Sequence, residues 1–150
     1  MKDIFDKTVT EEVCKRIDLL TATSDRKWGE MTVDQMLAHC NVAYESVYDN
    51  KHPKPKGIKK WMLKTLVKNF VVNEKPYKKN GRTAPEFLVV NERDFEIEKE
   101  RLHAYINKTQ ELGGAYFDNK ESHSFGKLTK KEWSNMFYKH LNHHLNQFGV

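Results

Sequence analysis

At 150 residues the chain has the size of one domain and too little length for two ordinary ones. Hydrophobic residues make up 38% and charged residues 31%, yet seventeen aromatic rings suffice for a sizeable core, which excludes general disorder. Seven Gly and four Pro argue against a turn-rich β-sandwich and low-complexity chains, and no apolar run approaches the roughly 20 residues that cross a bilayer.

Met1–Asp6 lacks the apolar stretch of a signal peptide, and two cysteines suit a reducing compartment better than a disulfide scaffold. The expectation is a single cytoplasmic domain spanning residues 1–150. The net charge of +5 is unevenly spread. Between Lys51 and Arg82 eleven Lys/Arg residues face one acid, Glu74, so this segment carries +10 and the remainder −5. Such a segment can engage an acidic partner, a membrane surface or nucleic acid, or it can be a solvated lysine-rich surface. No specific nucleic-acid binding is expected, because the aromatics needed for base stacking are assigned to packing.

Thr8–Thr21 carries the first helical pattern, with Val9, Val13, Ile17 and Leu20 in register and a capping-box signature in Thr8 and Glu11. A second helix starts at Thr32 with Gln35 as its box partner, carries Met36, Cys40, Ala43 and Val47 on one stripe, and reaches about Asp49. The Pro/Lys stretch Lys51–Gly57 breaks it. Ile58–Val72 reads as an amphipathic helix with Ile58, Trp61, Met62, Leu66 and Phe70 on one side, and Asn73–Val90 as an irregular connection. Asn91–Leu112 is the longest pattern, stopped by Gly113-Gly114. Ala115–Lys127 is expected to be a loop, and the last helix runs from the capping box Thr129/Glu132 to about Phe148. Without βαβ alternation or internal repeats, the pattern predicts an all-α helical bundle of four main helices with one extra helix between the second and third.

The last helix holds the chemistry, in His140-Leu141-Asn142-His143-His144. At about 100° per residue, Trp133, Phe137, His140, His144 and Phe148 fall within about 80° of one another. His140 and His144 therefore sit in the middle of the apolar stripe, with His143 on its flank. Two neighbouring imidazoles facing a core need partners for their nitrogens and cannot both be charged cheaply. A divalent metal meets both demands; a hydrogen-bonded pair or a helix-end cluster is the alternative. His39, bordering the stripe of the second helix, is the natural third ligand, or else an interfacial histidine with one wet nitrogen. His52 and His123 fall on loops. Glu100-x-x-His103 matches half a di-iron carboxylate motif whose other parts are missing. Cys40 reads as a small buried hydrophobe, and Cys14 has no chemical context. Phosphate-loop, nucleophile-elbow and His-Glu-x-x-His signatures are absent.

Met31–His39, the Thr83-Ala-Pro-Glu-Phe segment, Leu128–Trp133 and the ending His140–Gly149 together resemble the DinB-like (YfiT-like) metal-binding four-helix-bundle superfamily, in an uncharacterised bacterial branch. The resemblance covers nearly the whole chain, with the helix around Ile58–Val72 as that branch's insertion. It implies a divalent metal, Zn²⁺ or Ni²⁺ by ligand type, held by His39, His140 and His144, with His143 as a neighbour. Three imidazoles plus water is the pattern of an open catalytic site, so a metal-dependent hydrolase or a thiol-dependent transferase acting on a small molecule is expected. The second case would use a low-molecular-weight thiol as cosubstrate, as some members of the resembled superfamily are thiol-dependent transferases or isomerases. A homodimer is compatible with this reading. The competing expectation is a non-enzymatic binding module that uses the basic segment 51–82.

Overall fold

The computed structural model describes residues 1–49 and 51–150. The chain is mostly helical with one small antiparallel sheet. Helix α1 (Lys7–Asp18) starts earlier than expected, because Asp6 rather than Thr8 is the N-cap, its carboxylate accepting the Thr8 amide. Helix α2 (Val33–Tyr48) has the expected box: Gln35 accepts the Thr32 amide and the Thr32 side chain returns the bond. Helix α6 (Lys130–Phe148) carries the Thr129/Glu132 box and ends at Gly149, whose φ of 84° closes the helix in the left-handed region.

Helix α5 (Phe95–Phe117) corrects two expectations. It starts after the Asp94 cap rather than at Asn91, and Gly113 kinks it instead of stopping it, with φ 70° and ψ 168°. The last turn survives beyond the kink because Phe117 is fully buried, stacked on Phe5 at 5.1 Å and edge-on to Trp133 at 5.4 Å. The remainder of the expected loop forms a hairpin, β1 (Lys120–Ser122) paired with β2 (Gly126–Leu128). Ser122 Oγ closes its turn by accepting the Phe125 amide and donating to the Gly126 carbonyl.

The expected amphipathic helix over Ile58–Val72 is three pieces: α3 (Gly57–Met62), a π-helical stretch (Leu63–Val67) and α4 (Lys68–Val72). Its apolar side faces away from the body of the protein. Ile58, Trp61, Met62, Leu66 and Phe70 are all exposed. At its C-terminal end Val72 enters the core, and polar groups of α6 hold the backbone there. Asn135 donates to the Val72 carbonyl, and Lys139 donates to the carbonyls of Phe70 and Asn73, both at 2.8 Å, and to Asn73 Oδ1 at 3.1 Å. These bonds cap the C-terminal end of α4, where carbonyls lack helical partners. Lys139 is only 2% exposed, and burial lowers its pKa to about 8. The connection Asn73–Val90 is not wholly irregular, since Pro85–Phe87 makes one 3₁₀ turn.

The core forms where α6 meets α1, α2 and α5. Phe137 stacks on Tyr44 of α2 at 4.8 Å and on Trp133 at 5.5 Å, and meets Phe117 edge-on at 5.8 Å. Arg101 of α5 joins α2 by pairing with Glu45, while Glu98 accepts from Asn41 at 2.8 Å. Arg16 of α1 reaches across to Asn142, Asn146 and the Val150 carbonyl at the end of α6.

Phe137 is 1% exposed, so Phe137→Ala removes a ring that three others pack against. A loss of about 3–5 kcal/mol is expected, lowering Tm by roughly 10–15 °C for a domain of this size. Differential scanning calorimetry of metal-stripped protein checks it. An unchanged Tm would mean that this face of α6 is not in the core.

Candidate metal centre

The i, i+4 spacing on α6 puts His140 and His144 on one face, and α2 brings His39 against them. Ring centroids lie 4.8 Å apart for His39–His140, 4.5 Å for His39–His144 and 4.9 Å for His140–His144. One nitrogen from each ring falls in a cluster no wider than 4.8 Å, a group that could hold a metal ion.

Hydrogen-bond partners fix the tautomers of two of the three rings. His39 Nδ1 lies 2.8 Å from the Phe87 carbonyl oxygen, which can only accept, so Nδ1 carries the proton and Nε2 the lone pair. His144 Nδ1 lies 2.8 Å from Gln147 Oε1. The orientation of that amide is fixed in turn, because its NH₂ donates to the Trp28 carbonyl at 2.8 Å. Gln147 thus presents its oxygen to His144, whose Nδ1 must donate and whose Nε2 is left as an acceptor. The third nitrogen, His140 Nε2, sits 2.8 Å from His39 Nε2.

The electrostatics agree with neutral rings. Burial lowers the pKa of His39, and burial together with neighbouring His39, His144 and His143 holds His140 well below the ordinary value. Burial, with the nearby His39, brings His144 down to about 3. Three neutral imidazoles converging without an added proton are a ligand set for a cation. A tetrahedral ion about 2.1 Å from each nitrogen requires nitrogens about 3.4 Å apart. The closest pair at 2.8 Å and the full span of 4.8 Å bracket that separation.

The remaining sequence candidates lie elsewhere. His143 is half-buried on the flank, edge-on to Trp28 at 6.0 Å and Tyr77 at 5.6 Å. His52 pairs with Glu45 at 2.9 Å, and His123 contacts the His52 carbonyl at 3.1 Å. His103 faces Asp18 at 3.1 Å. Cys40 is buried and its thiol is pushed up by that burial, away from the thiolate a nucleophile needs. Beside His143 lies a cavity of about 480 Å³. Trp28, Tyr77, Asn142, Lys27, Lys79 and Lys139 are among its lining residues.

Sequence reasoning missed the residues that orient the rings. Gln147 stands three residues after His144 on α6, a spacing that brings side chains together and was available to find it. Phe87 acts through its backbone carbonyl, which no side-chain pattern reports. Gly29 has φ 80°, and a Cβ there would come within 2.4 Å of Gln147 Nε2, so a side chain at this position would displace the amide.

Fold and site together define a mostly helical protein with a three-histidine group able to hold a metal ion. A family model, described as protein of unknown function (DUF1569), matches residues 4–149, and the chain belongs to that family. No curated protein and no solved structure matches it.

Because folding depresses these histidine pKa values, the unfolded chain binds more protons once pH falls below the unfolded value of about 6.5. Metal-free protein should therefore keep this contribution above pH 6.5 and lose it progressively as pH falls towards 3. The loss is at most about 1.4 kcal/mol per pH unit for each ring. Urea unfolding at a series of pH values reads the slope, and His144→Gln should flatten it. An equally steep slope in that variant would assign the effect to other groups.

Proposed function

We propose that the chain is a divalent-metal protein of the DinB-like kind, in which His39, His140 and His144 each bind the ion through Nε2. In this reading α1, α2, α5 and α6 form a four-helix bundle and the α3–α4 segment is an insertion. The observation that carries it is the pair of anchored tautomers: Phe87 O and Gln147 Oε1 each claim a histidine Nδ1–H, leaving Nε2 lone pairs directed into one cluster. Outer hydrogen bonds of this kind orient metal-ligating histidines. The resemblance of the His-x-x-x-His pair and the preceding helix's histidine to the DinB-like pattern supports the same ligand set.

A divalent ion held by three neutral imidazoles keeps coordination positions open and supplies Lewis acidity, which suits catalysis better than a closed structural site. Zn²⁺ and Ni²⁺ match imidazole ligands. The chain's own residues hold the rings neutral and oriented, while Phe87, edge-on to His39 at 5.7 Å and to His140 at 6.2 Å, shields the cluster. The cavity beside His143 is not lined by His39, His140 or His144, but lysines and asparagines line it with no carboxylate among the described residues, which suits an acidic small molecule bound next to the cluster. A metal-dependent hydrolase or a thiol-dependent transferase is the reaction class we assign.

Elemental analysis and metal titration test the ligand set. Wild-type protein should bind one ion per chain. His39→Ala, His140→Ala and His144→Ala should each lose more than the roughly 10–100-fold in affinity typical of removing an outer partner. Gln147→Ala should fall within that 10–100-fold range, since the ligand remains but its tautomer is no longer held. His143→Ala should cost much less, and variants of His52 and His123 should be neutral. Circular dichroism separates loss of metal from loss of fold. Retention by His144→Ala together with loss from His143→Ala would move the site to the other flank of α6.

A further inference from the structure

The α3–α4 segment is an amphipathic helix mounted the wrong way round for a protein interior. Ile58, Trp61, Met62, Leu66 and Phe70 follow helical spacing along one side, which keeps them on a common face. That face points to solvent, with Ile58 79%, Trp61 62% and Leu66 66% exposed. The opposite face carries Lys60, Lys64 and Lys68 and is the one that meets the body. Lys60 pairs with Glu121 at 3.5 Å, Lys64 lies against Gly126, and Lys68 pairs with Glu132 at 2.8 Å. Lys59 pairs with Glu86 to one side. A contiguous row of exposed apolar side chains of this size marks an interaction surface.

The charge around the row selects the partner. Of the eleven cations between Lys51 and Arg82, four are engaged with carboxylates: Lys51, Lys59, Lys60 and Lys68. The single acid in the segment, Glu74, is taken by Lys131. Lys54, Lys56 and Lys64 have no carboxylate within ion-pairing distance among the described residues, and neither do four further cations from Lys75 to Arg82. A second copy of the chain would bring this positive field against itself, which is repulsive. A surface that accepts apolar side chains and supplies negative charge meets both features at once.

We propose that the α3–α4 face docks on an anionic lipid bilayer, with Trp61 and Leu66 inserted at the headgroup boundary and the unpaired Lys54 and Lys56, just before α3, over acidic headgroups. The association is peripheral, for no helix among the described residues is long and apolar enough to cross a membrane. The row needs no rearrangement to bind, since the lysine pairs on the far face stay made.

The test is co-flotation of the full chain with phosphatidylcholine vesicles containing about one-third phosphatidylserine, against phosphatidylcholine alone. Binding should be confined to the anionic vesicles and fall as salt rises. Leu66→Asp and Trp61→Ala should each weaken it about tenfold or more, and Lys54→Gln and Lys56→Gln about fivefold apiece. All of these positions are exposed, so circular dichroism and metal content should match wild type. Failure of the wild-type protein to float with anionic vesicles overturns the proposal, as does equal binding to neutral ones or undiminished binding of Leu66→Asp. Sedimentation as a dimer that Leu66→Asp converts to a monomer would assign the face to a second copy and overturn it too.

Discussion

The amide of Gln147 decides the chemistry of the histidine cluster. Its NH₂ is spent on the Trp28 carbonyl, so only its oxygen can face His144, and His144 must then present a bare Nε2. The Lys27 amide donates to the Gln147 carbonyl at 2.7 Å, and the left-handed Gly29 lets the backbone pass the amide without a clash. A loop far from α6 in sequence thus sets the proton position on a ring of α6. On the other side of the cluster the Phe87 carbonyl does the same for His39. Two neighbouring lone pairs repel unless something positive lies between them. In the metal-free protein the His140 Nε2–H donates to the bare His39 Nε2 at 2.8 Å, and burial of the cluster disfavours any further proton.

Helix α6 carries several surfaces at once, each with its own chemistry. Trp133, Phe137 and Leu141 build the aromatic and aliphatic core, His140 and His144 turn towards α2, and Asn135 and Lys139 reach the open end of α4. Among the described residues this lysine is buried without a carboxylate partner, an arrangement that burial makes costly. Three oxygen acceptors and the Tyr77 ring, 4.6 Å from the ammonium, offset that cost. The result is a polar fastening for a helix whose apolar side is turned away.

The capping boxes at Thr32 and Thr129 were legible because a two-way side-chain bond leaves a four-residue signature. The face shared by His140 and His144 was legible because 3.6-residue periodicity is geometric. His39 as their neighbour needed more: its position beside the α2 stripe allowed it, and the family resemblance singled it out. The misreadings share a cause, which is tertiary packing overriding a local signal. Gly113 has a stop signal, yet the buried ring of Phe117 keeps one more turn beyond it. The hairpin strands are three residues long, too short to show alternation. The row from Ile58 to Phe70 has a correct helical period, but periodicity says that a face exists and not which way it turns.

What turns that face outward is the match between lysine spacing and acid positions on the body. Lys60, Lys64 and Lys68 repeat every four residues, and Glu121 and Glu132 stand on β1 and at the start of α6, where the first and last of them can reach. Exposed ion pairs contribute little individually, so they could not outweigh burial of five large apolar side chains if the body offered an apolar groove there. It offers the hairpin instead, with Gly126 beneath Lys64. The caps on α4 then fix the segment at its C-terminal end. Moving α4 relative to α6 means breaking the bonds of Lys139 and Asn135 together, and Lys139 directly precedes His140. The exposed face and the histidine cluster are thus anchored to adjacent residues of one helix, and α4 follows α6 as a unit.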